Sequence, residues 1–149
     1  MKTVLVDIDG TVADLEHRKH LVRSKPKNWP AFNRAIPNDS PIHQTITVVN
    51  ALKASGMQIV FCSGRGSESR EVTEAWLRDV AKFDFPLVLF MRAERDNRSD
   101  DIVKSELLDQ IIAEGFDPQF VIDDRPKVVR MWRARGLFVF DVNQSGEEF

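Results

Sequence analysis

Short apolar runs alternate with amphipathic stretches along this chain, and the alternation predicts its elements. Val4-Leu5-Val6, followed by Ile8 and closed by Gly10, reads as a buried strand running into a tight turn. Ser40-Pro41 predicts a helix start, as N-cap and first-turn proline, with Ile42, Ile46, Val49 and Leu52 on the apolar face and Gly56 at the end. Gln58 to Cys62 predicts a second buried strand leading into Ser63-Gly64-Arg65-Gly66. Ser67 is the expected cap of a helix whose inward stripe is Val72, Trp76, Val80 and Phe83. Pro86 opens a third strand, Leu87 to Met91, and the Arg-rich stretch Arg92 to Asp101 is expected to be a loop. Ile102 to Glu114 predicts a helix with Val103, Leu107 and Ile111 inward and Gly115 at its end. A fourth strand, Gln119 to Ile122, ends in Asp123-Asp124. Arg125-Pro126 then starts a helix carrying Val128, Val129 and Trp132, stopped at Gly136, and Leu137 to Phe140 is a fifth strand before a loose acidic tail.

Strands and helices in this order predict parallel β-α units. The expected fold is α/β: a three-layer α/β/α sandwich with a mainly parallel, Rossmann-like sheet and a small lid insert after the first strand. The insert, about residues 13–39, lacks regular periodicity, and a loop of that length in a compact domain serves as a lid or a binding loop. Its basic residues are Arg18, Lys19, Arg23, Lys25, Lys27 and Arg34; after Asp14, Glu16 is the acidic counterpart as far as Asn38. Trp29 and Phe32 lie among them, on a short helix begun by Asn28, either pinning the segment to the core, touching a ligand, or both.

Composition narrows the class. At 149 residues and 42% hydrophobic, the chain is expected to form one domain, residues 1–149. A formal net charge of -2 argues against a general nucleic-acid binder. If four aspartates are committed to a metal, however, the rest of the surface becomes mildly cationic. The lone Cys62 cannot form an internal disulfide, which predicts a reducing, cytoplasmic setting. No apolar run reaches membrane-spanning length, and no signal-type stretch opens the chain, so no membrane association is expected.

In open parallel sheets, chemistry gathers outside the carboxyl ends of the strands. The first strand delivers Asp7 and Asp9, pointing the same way because side chains alternate. Two anions so close repel unless a cation or a shared proton lies between them. The second strand delivers Ser63, Gly64 and Arg65, and the fourth delivers Asp123 and Asp124. Lys104 stands near the start of a helix, where the dipole disfavours a cation, so it either reaches into solvent or is held for an anion. Carboxylates for a hard cation, with hydroxyl, guanidinium and ammonium groups for an oxyanion, fit magnesium-assisted phosphoryl chemistry.

Asp7-Ile8-Asp9-Gly10-Thr11, Ser63-Gly64-Arg65, Lys104 and Asp123-Asp124 resemble the four ordered motifs of the haloacid dehalogenase (HAD) superfamily of phosphatases. Arg98 to Lys104, Ile122 to Arg125, and Val129 to Arg133 are similar to the 3'-phosphatase domain of phage-type polynucleotide kinase/phosphatase, while the middle of the insert departs from it. The resemblance implies Asp7 as nucleophile, forming an aspartyl-phosphate, and Asp9 as the acid and base, a role that asks for a raised pKa. It implies Ser63 and Lys104 on the phosphoryl oxygens, and Mg2+ held by Asp7, Asp123 and the backbone carbonyl of Asp9, with Asp124 a ligand or adjacent to the ligands. Thr11, Arg18, Gly64 and Arg65 would meet substrate, and Asp100 would orient Lys104 or cap its helix. The implied substrate is a phosphorylated nucleotide or nucleic-acid 3' end, with a separate kinase or ligase protein as possible co-worker. A small-molecule HAD phosphatase is the alternative.

Other signals carry less. A thiol phosphatase needs an arginine six residues after Cys62, where Glu68 stands. His17 and His20 lack a third metal ligand, and Gly64-Arg65-Gly66 lacks the third glycine of a dinucleotide loop. No Gly-Lys-Ser/Thr phosphate loop is present, so kinase activity is not expected here. A non-catalytic receiver-like module would carry its acceptor aspartate on a middle strand, and neither Phe61 to Ser63 nor Leu89 to Met91 has one. Trp76 and Trp132 sit on apolar stripes and are expected in the core.

Overall fold

A computed structural model describes residues 1–147; Glu148 and Phe149, the end of the expected loose tail, lie outside the described residues. The chain runs β1 (Lys2–Val6), β2 (Ala13–Asp14), α1 (Glu16–Arg23), α2 (Trp29–Arg34), β3 (Ser40–Pro41), α3 (His43–Ala54), β4 (Gln58–Gly66), α4 (Arg70–Asp79), β5 (Leu89–Arg92), α5 (Asp100–Ala113), β6 (Asp117–Asp123), α6 (Pro126–Ala134) and β7 (Phe138–Asp141). Tighter 3-10 turns occupy Ile36–Asn38 and Ser67–Ser69. Five strands form one parallel sheet in the order β5-β4-β1-β6-β7, with β1 at its centre.

The sheet is buried on both faces, which is why its strands read as apolar runs rather than as alternation. Val4, Val6, Ile59, Phe61 and Met91 pack with Ile46 and Val49 of α3 and Trp76 and Leu77 of α4. Leu5, Val60, Cys62 and Val121 pack on the other side with Val103, Leu107 and Ile111 of α5 and Val128, Val129 and Trp132 of α6. The three-layer α/β/α expectation therefore holds. Strand alternation carries the pattern to the tips: Asp7 and Asp123 continue the Leu5 and Val121 side, toward α5 and α6.

Several boundaries differ from the sequence reading. Ser40-Pro41 does not start a helix. It pairs antiparallel with Ala13–Asp14, and α3 begins only at His43 with no side-chain cap. The Ile42 N–H is held by the Val12 carbonyl at 2.8 Å, which keeps the chain extended through the proline. Similarly, α4 begins after a 3-10 turn and ends at Asp79, so its buried face is Thr73, Trp76 and Leu77; Phe83 reaches the core from beyond the helix. β4 runs on to Gly66, with its register against β5 shifting between Ser63 and Gly66. The third strand is Leu89–Arg92, and α5 starts at Asp100 rather than Ile102.

The insert is more regular than its poor periodicity predicts. It holds α1 and α2, and Asn28 caps the latter, its side chain accepting from the Ala31 N–H at 3.1 Å. Both helices are short, and among their residues Arg18 alone is buried, so no apolar stripe marks them in the sequence. Among the described residues no helix is long and apolar enough to cross a membrane.

Candidate active site

Asp7 lies just past β1, its backbone N–H still donating to Ile122 of β6 at 3.0 Å. That bond sets the two central strand tips side by side. A turn follows in which the N–H groups of Thr11, Val12 and Ala13 all converge on the Ile8 carbonyl at 3.0–3.1 Å. Gly10 is required there twice over. Its φ is +80°, and a Cβ would lie 2.0 Å from Asp124 Oδ2. The turn brings Thr11 back under the site, where its buried hydroxyl bridges Asp7 Oδ2 (3.0 Å) and Asp124 Oδ1 (3.3 Å).

Asp7, Asp123 and Asp124 are all buried, and each offers a carboxylate oxygen within 4.8 Å of the others. Lys104, buried on α5, reaches two of them: its Nζ donates to Asp7 Oδ1 at 2.8 Å and Asp123 Oδ2 at 3.0 Å. Asp123 is fixed further by the Trp132 indole N–H (3.1 Å) on Oδ2 and by the backbone N–H groups of Asp124 (2.8 Å) and Arg125 (3.2 Å) on Oδ1.

One ammonium does not balance three carboxylates. Burial, reinforced by Asp123 and Asp124 as like charges, pushes Asp7 well above the usual carboxylate range despite Lys104. Burial also raises Asp124, to about 6. For Lys104, burial alone would lower the pKa, but Asp123 and Asp7 outweigh it and hold the ammonium well above its ordinary value. A cluster in which charge is so costly takes up protons or a cation. Its donors are all hard oxygens, so the residues fit a divalent ion of the Mg2+ or Ca2+ kind rather than a soft metal.

The Asp9 carboxylate is not part of this triad and joins a second cluster. Arg65 Nη2 and Nε reach it at 2.5 and 3.1 Å, and Arg18 Nη2 at 3.2 Å. Both arginines also hold Asp39. Arg18 donates to it through Nε (2.7 Å) and Nη2 (2.8 Å), Arg65 through Nη2 (3.3 Å), and His17 Nε2 lies 2.6 Å away. Arg65 is braced from behind by Thr73 Oγ1 at 3.0 Å. Burial by itself would raise the Asp9 pKa, but Arg65 and then Arg18 hold it below the usual range. This corrects the raised value expected for a general acid, because the sequence does not show that two guanidinium groups land on that carboxyl. Asp9 keeps 29% of its side chain exposed, whereas the triad and both arginines are buried.

Ser63, on β4, is buried, its Oγ accepting from the Arg65 N–H at 3.1 Å. Gly64 packs against Asp100, and a Cβ would come within 2.9 Å of that carboxylate. Asp100 is neither the cap, which is Ser99, nor a partner of Lys104 in hydrogen-bond contact. Its two oxygens accept from Arg92 and Arg125, and Arg92 Nε reaches the Gly64 carbonyl at 2.8 Å.

Residues 1–147 match the family described as the polynucleotide kinase PNKP phosphatase domain. The chain belongs to that family. It is thus a phosphatase of HAD type. It is 32% identical over 99% of its length to a protein of Autographa californica nuclear polyhedrosis virus provisionally named a bifunctional polynucleotide kinase/RNA ligase, of which it covers 20%. It also matches a chain of the Pnkp1/Rnl/Hen1 complex at 33% identity and a TM-score of 0.76, covering 94% of this chain and 45% of that one. The class C acid phosphatase of Bacillus anthracis shares the fold alone, at 12% identity, a TM-score of 0.64, and coverage of 94% and 66%. The chain therefore spans less than half the length of the polynucleotide-processing relatives it resembles.

Against this family background, four residues that sequence reasoning passed over stand close to the predicted ones. Asp39 lies one residue beyond the basic segment, and its signal was a solitary acid at the end of a run of cations. Arg92 and Arg125 looked like loop and helix-start residues. Trp132 is indeed core, but its indole N–H is also bound to Asp123.

Proposed function

We propose that this chain is a Mg2+-dependent 3'-phosphatase of polynucleotide ends that carries the phosphoryl group on Asp7 between two half-reactions. The observation that carries the reading is the buried Asp7–Asp123–Asp124 triad with Lys104 on two of its members, beside two buried arginines that meet on Asp9. Mg2+ would be held by Asp7, Asp123 and Asp124 with the backbone carbonyl of Asp9. Bound there, it neutralises phosphoryl charge that would otherwise repel an attacking carboxylate. An oxygen of Asp7 bonds to phosphorus as the bond from phosphorus to the 3' oxygen breaks, and Asp9 gives that oxygen its proton. Water then attacks phosphorus, its proton passes to Asp9, and the bond to Asp7 breaks, releasing inorganic phosphate.

Lys104 and Ser63 hold the phosphoryl oxygens through both steps. Arg18 and Arg65 receive the substrate phosphate. As their charge is shared with it, the depression of the Asp9 pKa is relieved, and the carboxyl can hold the proton that the first step requires. A polynucleotide rather than a metabolite is supported by the relatives' names and by exposed Arg23, Lys25, Lys27 and Arg34 on the insert. A kinase or ligase acting on the same ends, and a reducing cytoplasmic setting for the unpaired, buried Cys62, belong to this reading.

Phosphate release from 3'-phosphorylated oligonucleotides, 5'-phosphorylated ones and 3'-mononucleotides, with Mg2+ or EDTA, tests it. Turnover should need Mg2+, favour the 3'-phosphorylated oligonucleotide and fall steeply with salt, since polymer binding releases counterions. Equal efficiency on mononucleotides, without salt dependence, would make this a small-molecule phosphatase instead.

A further inference from the structure

The insert separates its two aromatic residues into different roles. Phe32 is partly buried, with the Arg18 guanidinium 4.1 Å above its ring and its carbonyl accepting from Arg18 Nη1 at 3.4 Å. Trp29 meets Phe32 at right angles, with ring centroids 5.5 Å apart, yet remains 51% exposed. The other two tryptophans are fully buried with their indole N–H groups bonded, to the Asp39 carbonyl and to the Asp123 carboxylate. Trp29 therefore does not pin the insert to the core.

It is nonetheless held in place. The Asn28 side chain caps α2 at the Ala31 N–H, and the Asn28 N–H donates to Leu21 of α1 at 2.7 Å. Lys27 Nζ stands 5.8 Å from the indole ring, and Lys25, two residues earlier in the chain, is exposed. An apolar protein partner would leave these ammonium groups without a counter-charge, whereas a sugar-phosphate backbone supplies one. The contacts run in series from Asp9 to Arg18 at 3.2 Å, then to Phe32, then to Trp29, so two side chains link the exposed indole to the Asp9 carboxylate.

We infer that Trp29 is a stacking platform for an unpaired nucleobase at or next to the 3' end whose phosphate enters the Arg18–Arg65 site. The inference rests on the phosphatase reading and adds strandedness to it. Bases inside a duplex have both faces covered, so the platform selects single-stranded or frayed ends.

The test compares a single-stranded 3'-phosphorylated oligonucleotide with one whose last two residues are abasic. Trp29→Ala should lower kcat/KM on the base-bearing substrate by about 5-fold to 100-fold, through KM, as for loss of one base–aromatic stack. The ratio of base-bearing to abasic efficiency should fall toward one, and Trp29→Phe should keep most of it. An unchanged ratio in Trp29→Ala overturns the inference.

Binding gives a second readout. In the Asp7→Asn protein, the base-bearing oligonucleotide should quench tryptophan emission, the abasic one should not, and adding Trp29→Phe should abolish the effect. Phosphate release with neither quenching nor a base-dependent ratio refutes the platform and leaves the phosphatase reading intact. Base-dependent quenching without activity on any 3'-phosphorylated end refutes the phosphatase reading and leaves the platform. No phosphate release from any 3'-phosphorylated end together with no base-dependent quenching refutes both.

Discussion

Replacing Asp39 with asparagine removes the charge at the centre of the arginine cluster while keeping its volume. Asp39 is 3% exposed, Arg18 and Arg65 are buried against it, and its carboxylate accepts from both. Removing one partner of a buried ion pair costs about 3–5 kcal/mol, because the other charge is left uncompensated. Here Asp9 still offers a carboxylate to both guanidinium groups, which places the loss near the lower end, about 3 kcal/mol. For a chain of this size that corresponds to a fall in Tm of about 6–12 °C. Arg18 would also lose its two-pronged hold, and misplacement of a substrate-binding group costs on the order of 10²-fold in efficiency. Thermal melting and phosphate release from a 3'-phosphorylated oligonucleotide measure the two effects separately. A variant melting within about 1 °C of the parent, with unchanged KM, would refute the reasoning that Asp39 organises the two arginines.

Two further outcomes follow from the carboxylate triad. Trp132→Phe removes the indole donor from Asp123 and should raise the Mg2+ concentration needed for half-maximal turnover by about 10-fold, the usual scale for a lost partner of a metal ligand; an unchanged requirement would show the indole serves packing alone. Asp124 is held up at about 6 and Asp7 is shifted in the same direction, so in metal-free protein each contributes stability that is present below the ordinary carboxylate pKa and lost as pH rises through the folded value. Mg2+ should therefore raise Tm clearly at pH 7.5 and much less at pH 5, both measured against EDTA; equal gains at the two pH values would contradict a metal bound by these groups.

The sheet, its two covering layers and the strand-tip aspartates were legible because each depends on local pattern. Parallel strands buried on both faces give apolar runs, and their tips are where side chains of a given register must emerge. Asp7 and Asp123 come together for that reason, and Lys104 reaches both from α5. What stayed hidden depends on distant pairings. Nothing local shows that Arg65 would lie across Asp9, or that Asp39, separated from Arg65 by all of α3 and most of β4, would hold it. The pairing of Ser40–Pro41 with Ala13–Asp14 was masked by a good helix-start signal, which lost to the hydrogen bond from Ile42 to Val12. The insert's helices were hidden because they are short and bury one arginine rather than an apolar stripe.

Acid-quenching the protein during turnover of an oligonucleotide carrying a radiolabelled 3'-phosphate, with Mg2+ present, most directly tests whether Asp7 takes up the phosphoryl group. Hydroxylamine-labile label on the peptide containing Asp7, absent from Asp7→Asn, which should also release no phosphate, is the predicted result. Normal phosphate release by Asp7→Asn, or turnover with no label on that peptide at any time, would contradict it.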